Sequence, residues 1–215
     1  MSTLLIRFQA PMQSWGVSSH FANRDTCREP TKSGTIGVLC AALGRNRDAD
    51  ITDLASLQMG VRIDREGLLQ RDYHIVQQVM SKDGSKGKES EITNRYFLAD
   101  AVFLVGLDGS DELLTEIQNA LAHPKWMLYL GRKAFTPALP VWLKDGLKSE
   151  GLLPSLSTFP GLVSPATDQF RIVIEDPKGE QVRQDVPVSF ADRTFSTRRI
   201  KTLFVTTPDT VLEEI

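Results

Sequence analysis

Pro30-Thr31-Lys32-Ser33-Gly34-Thr35-Ile36-Gly37 reads as the opening of a helix, and the elements on either side of it set the fold. Thr31 or Ser33 can accept a backbone N–H at the helix start. Ile36, Leu39 and Leu43 recur at helical spacing, and Gly44 is a stop signal, so a helix is expected from about Ser33 to Leu43. The segment lacks the order Gly-x4-Gly-Lys-Ser/Thr, so a nucleotide-binding P-loop has no support. Two chemical readings stay open. Lys32, Ser33 and the unbonded N–H groups of a helix start suit an anion such as a phosphate. The same residues suit plain capping, with Gly34, Gly37 and Ala41 on one face allowing close packing.

Upstream, residues 3–9 alternate imperfectly as a first strand with Leu4, Ile6 and Phe8 on one face, ended by Ala10-Pro11. A long polar loop is expected from Met12 to about Pro30. Downstream, residues 52–57 suggest a helical turn and Met59 to Asp64 a strand. Leu68 to Val79 reads as a strand, residues 81–88 as a polar turn, and Tyr96 to Leu107 as an apolar strand. Residues 71–98 therefore read as a β-hairpin arm on a core formed by 1–70 and 99–215. Ser110 caps a second expected helix, Asp111 to Ala122, with Leu113, Leu114, Ile117 and Leu121 inward. Further strands are expected at 126–130, 170–175, 181–188 and 201–206, and an irregular stretch at 145–168. The order strand, helix, strand, arm, strand, helix, strand matches an α+β, ferredoxin-like (RRM-like) βαββαβ core with insertions.

Composition narrows the function classes. The chain has 215 residues, is 41% hydrophobic and carries a formal charge of −2. A free-standing non-specific nucleic-acid binder is usually basic, so any such contact must rest on local clusters. The two cysteines, Cys27 and Cys40, make no CxxC pair, and His20, His74 and His123 lie far apart. No metal or other cofactor is expected. The first residues have no basic n-region and no small-residue cleavage site, and no apolar run is long enough to span a bilayer. The expectation is a cytoplasmic protein without membrane contact.

Five segments carry a family resemblance: Pro11-Met12-Gln13-Ser14-Trp15-Gly16, then Pro30 to Leu39, Arg71-Asp72-Tyr73-His74, Tyr129-Leu130-Gly131-Arg132-Lys133 and Phe190-Ala191-Asp192-Arg193. In this order they resemble the CasD family, the small RAMP-superfamily subunit of type I-E CRISPR Cascade complexes. The resemblance implies a RAMP core with a hairpin thumb and a non-catalytic role. It also implies recognition of the 5′ handle of CRISPR RNA beside the backbone subunit CasC and the large subunit CasA, with target DNA met through the complex.

The residues expected to touch RNA are Trp15, Lys32, Ser33, Tyr73, His74, Lys86, Lys88, Arg95, Arg132 and Arg198. Trp15 can stack on a base, plug the core end or fill a subunit interface. Arg132 and Arg198 offer guanidinium forks to phosphate, or are solvated charges. The arm's mixed charges suit a solvated hairpin or one that orders on RNA. Tyr73, His74 and Lys86 or Lys88 are also a conceivable acid–base set for metal-independent RNA cleavage, the alternative to a non-catalytic role.

Overall fold

The computed structural model describes residues 2–17, 22–80, 84, 87–164, 168–206, 208 and 210–212. The elements are β1 (Ser2–Gln9), β2 (Met12–Gln13), β3 (Asn23–Arg24), α1 (Lys32–Leu43), α2 (Thr52–Ser56), β4 (Gln58–Arg65), β5 (Leu68–Val79) and β6 (Lys88–Ala99). They continue as β7 (Val102–Gly109), α3 (Asp111–Ala122), β8 (Trp142–Lys148), α4 (Leu152–Thr158), β9 (Gln169–Glu175), β10 (Gln181–Ser189) and β11 (Thr194–Thr206). Among the described residues they form two sheets, one ordered β10-β11-β9-β4-β7-β1-β8 and one built on β6.

In the larger sheet every neighbouring pair is antiparallel. β1 and β7 are central because both their faces are apolar. Leu4, Ile6 and Phe8 join Phe103, Val105 and Leu107 in the main core, on the side of α1 and α3. Leu5, Val102 and Leu104 face a second core under α4. Period-two alternation with both faces buried is what a middle strand requires.

The expected helices form. Thr31, not Ser33, caps α1 by accepting from the Gly34 N–H at 3.2 Å. Gly44 closes it in the left-handed region, with φ +73. Ser110 caps α3 as expected.

Four expectations need correction. Residues 126–130 are not a strand, because the chain here serves α1 instead. Lys125 N–H donates to Ala42 O and Trp126 N–H to Ala41 O, satisfying carbonyls at the helix end. Residues 145–168 are not wholly irregular, since they include most of β8 and all of α4. α4 lies close to the sheet over Gly60 and Gly106, which face each other across β4 and β7. A Cβ at either would stand 2.7 Å from a leucine of α4. The fully buried Arg62 then binds the Leu156, Phe159 and Pro160 carbonyls that end that helix. The apolar run 96–107 breaks at Asp100, which has φ +56, so β6 and β7 belong to different sheets. Finally, the loop after β1 is partly zipped onto β6, through β2 at Leu98–Ala99 and β3 at Asn94–Arg95.

β5 and β6 pair antiparallel from Leu68↔Ala99 to Val79↔Lys88. This hairpin is longer at its base than the expected 71–98. No described helix is long and apolar enough to cross a membrane.

Candidate nucleic-acid interface

The helix start that opens the sequence argument is occupied from within. Lys32 is buried, and its ammonium pairs with Glu175 at 3.0 Å. Its backbone N–H donates to Asp185 Oδ2 at 2.9 Å. Arg198 binds both Asp185 oxygens, at 2.7 and 2.8 Å, and reaches Glu175 at 2.9 Å. Burial lowers the Lys32 pKa, with Glu175 opposing. Burial works against the Asp185 charge, but Arg198 and the Lys32 N–H outweigh it and hold the carboxyl below its usual range. Arg198 is likewise held above its ordinary value by Asp185 and Glu175, against burial. The phosphate role expected of Lys32 and Arg198 is therefore corrected: their charges are neutralised by Glu175 and the buried Asp185, and Asp185 already holds the helix N-terminus.

Trp15 takes the core-plug alternative. It is 1% exposed, stacks on Phe8 with centroids 5.1 Å apart, and lies over Gly34. A Cβ on Gly34 would stand 2.8 Å from the indole. The ring is not free to stack on a base. Ser33 is half-buried beside a groove of about 200 Å³. Ser14, Trp15, Gly16, Thr31, Gly34, Gly131, Phe190 and Phe195 also line it. Four of the five motif segments thus meet at one groove.

A second cluster lies on the smaller sheet. In register, Arg24 of β3 sits beside Arg95 of β6, and Arg95 opposite Asp72 of β5. Arg132 joins them from the turn after Gly131. That turn is held tightly: Gly131 has φ +100, and a Cβ there would meet Ser14 O at 1.9 Å. Arg132 Nη2 donates to Tyr96 O at 2.8 Å, and its guanidinium lies 5.1 Å from the Phe135 ring centre. Burial first, then the charges of Arg95 and Arg24, press its pKa below the usual arginine range, with Asp72 opposing. Arg95 Nε is buried without a hydrogen-bond partner. No ion pair among the described residues joins any of these three guanidiniums to a carboxylate. Asp72 instead meets His74 Nε2 at 2.5 Å.

The structure thus brings His74, Arg95 and Arg132 together. Tyr73 is separated from them: it neighbours His74 on a strand, so it faces the other side, where it is 51% exposed near Ile75 and Ile92. Lys86 lies outside the described residues, and of Lys88 only the backbone, in β6, is described. Sequence reasoning missed Arg24, because a two-residue strand in a polar loop has no periodicity to read. Asp72 was visible as part of the Arg71–His74 segment and as an arm charge, but not as a partner of His74. Among the described residues no group of His, Cys, Asp and Glu gathers to hold a metal.

A family profile described as CRISPR-associated protein (Cas_Cas5) matches residues 3–202. The chain is 35% identical over 160 residues to the CRISPR system Cascade subunit CasD of Escherichia coli (strain K12), which covers 66% of this chain and 70% of that protein. Among solved structures, it resembles a Cas protein crystal structure at 40% identity and TM-score 0.81, covering 96% and 97% of the two chains. It also resembles a chain of a CRISPR RNA-guided surveillance complex at 31% identity and TM-score 0.80, covering 96% and 91%.

Proposed function

The chain belongs to the CRISPR-associated Cas5 family, and from that premise we propose that it is a non-catalytic RNA-binding subunit of a type I-E Cascade complex in the cytoplasm. In this role it recognises and caps the 5′ handle of the CRISPR RNA and contacts the backbone subunit CasC and the large subunit CasA in antiviral defence.

The carrying observation is the guanidinium cluster Arg24, Arg95 and Arg132, unpaired by described carboxylates and adjoining the motif-lined groove through Gly131–Arg132. Guanidiniums left without counter-charge recruit phosphate oxygens, which are the dominant charge of single-stranded RNA. The chain's overall charge of −2 does not oppose this, because the acids are consumed elsewhere. The partial order β4-β7-β1-β8, with two interleaved strand–helix–strand crossovers, supports a ferredoxin-like core. The long β5–β6 pair supports the reading of residues 71–98 as a thumb.

The non-catalytic reading draws on geometry as well. Tyr73 and His74 face opposite sides of β5, so the two do not converge on one scissile bond.

The test is electrophoretic binding of handle RNA by the assembled complex, with the handle intact or scrambled. Preference for the intact handle, lost when Arg24, Arg95 and Arg132 are replaced together, is expected. Equal binding of both sequences overturns handle recognition. Incubating the purified protein with a repeat hairpin in EDTA is expected to leave the RNA whole; His74-dependent cleavage overturns the non-catalytic assignment.

A further inference from the structure

Asp72 faces the guanidinium cluster but is turned away from it. Asp72 stands opposite Arg95 in register, yet its Oδ2 lies 2.5 Å from His74 Nε2. The two residues are two apart on β5, so they share the face that carries the arginines. Both side chains are about 40% exposed, Asp72 at 41% and His74 at 42%, so solvent protons reach them.

The charges around His74 are opposed. From β6 come Arg95, with Thr93 opposite His74 and Glu91 one pair further along that face. Arg24 comes from β3, followed by Asp25, and Arg132 comes from the turn after Gly131. An arriving phosphate brings negative charge to the face that Asp72 and His74 share with the arginines, and it repels an Asp72 left as a bare anion.

We propose that Asp72 and His74 form a proton-linked latch on this cluster: as an RNA phosphate settles on Arg24, Arg95 and Arg132, His74 takes up a proton and holds the Asp72 charge off the site. This rests on the RNA-binding reading above and adds its regulation. Asp72 then acts as a competitor for the arginines, and a protonated His74 holds it off more firmly than a neutral ring donating from Nε2. Binding that takes up a proton strengthens as pH falls and weakens as pH rises. His74 and Asp72 are positioning residues here; the arginines make the contact.

The test is fluorescence anisotropy of a short single-stranded RNA carrying the handle sequence, titrated with the full chain at fixed salt. The pH runs from about 6 to about 8, where an imidazole exchanges its proton. The wild-type chain is expected to bind more weakly at the upper end, by at most about tenfold per pH unit, the limit for one linked proton. Asp72→Asn is expected to bind tightly with no pH profile. His74→Gln is expected to bind weakly and equally flatly, with both variants unfolding at the wild-type temperature. Clear RNA binding with a flat wild-type profile, or a wild-type profile kept by Asp72→Asn, overturns the latch and leaves the RNA site standing. Absence of RNA binding at every pH overturns the RNA site, and the latch with it.

Discussion

Two groups of arginines in this chain differ in what faces them. Arg198 meets Asp185 and Glu175, while Arg171 and Arg183 share Glu29, which is 2% exposed. Lys32 completes that network at the start of α1. Arg24, Arg95 and Arg132 crowd together with Asp72 as the facing carboxylate, and Asp72 is held by His74. The first group ties β9, β10 and β11 to α1, and with Glu66, which also binds Arg171 at 2.8 Å, its four cations meet four carboxylates. Among the described residues the second has no ion pair to a carboxylate. Residue type is the same in both; counter-charge separates scaffold from site.

The largest effect is expected inside the compensated group. Asp185→Ala strands Arg198 and the Lys32 N–H in a buried setting, at a cost of about 3–5 kcal/mol by urea denaturation. The same carboxylate makes stability pH-dependent. Its folded-state pKa is lowered, so its contribution is full above about pH 4 and is lost as pH falls through the folded value. An Asp185→Asn chain is expected to lose that part of the acid transition.

Next comes the uncompensated group. Replacing Arg24, Arg95 and Arg132 together by alanine should lower RNA affinity by roughly two orders of magnitude at physiological salt. It should also flatten the log–log salt slope by about 2, at close to 0.7 per single-strand phosphate contact. Stability should change by only about 1 kcal/mol, since like charges are removed with the contacts. A large loss of stability here would break the contrast.

Gly131→Ala tests how the site is held. The new Cβ collides with Ser14 O and the φ is left-handed, so a cost of about 1–3 kcal/mol is expected, with a matching fall in RNA retention as Arg132 moves. The smallest effect is expected for Lys32→Met. Glu175 keeps Arg198, so about 1 kcal/mol of stability is lost and RNA retention is unchanged. Reduced RNA retention in a stably folded Lys32→Met chain would return the helix start to the RNA surface.

Periodicity explains which elements were legible. α1, α3, β1, β4 and the β5–β6 hairpin carry strong local patterns and form close to where the sequence puts them. α4 does not, because a two-turn helix with a proline and two serines holds through Gly60, Gly106 and Arg62, residues distant in sequence. Residues 126–130 look like a strand because Trp126, Met127, Leu128, Tyr129 and Leu130 are all apolar or aromatic. The competing demand, unbonded carboxy-terminal carbonyls on α1, is invisible without the packed structure. In the candidate site, Arg95, Arg132 and His74 were legible as charges near motifs. Arg24 was not, because its partner is reached only by pairing across sequence to Arg95.

By itself, the sequence determined the capped helix ending at Gly44, the first apolar strand, the hairpin and the order of motifs that resembles the CasD family. These depend on local spacing, cap chemistry and motif order, which a chain displays before it folds. Only the tertiary structure decided which arginines are free. Lys32 and Arg198 read as surface cations until Glu175 and Asp185 arrive from other strands, and Trp15 reads as a stacking platform until Gly34 and Phe8 enclose it. Charge compensation is a property of pairs, and the pairs here are made by strands and turns far apart in the chain.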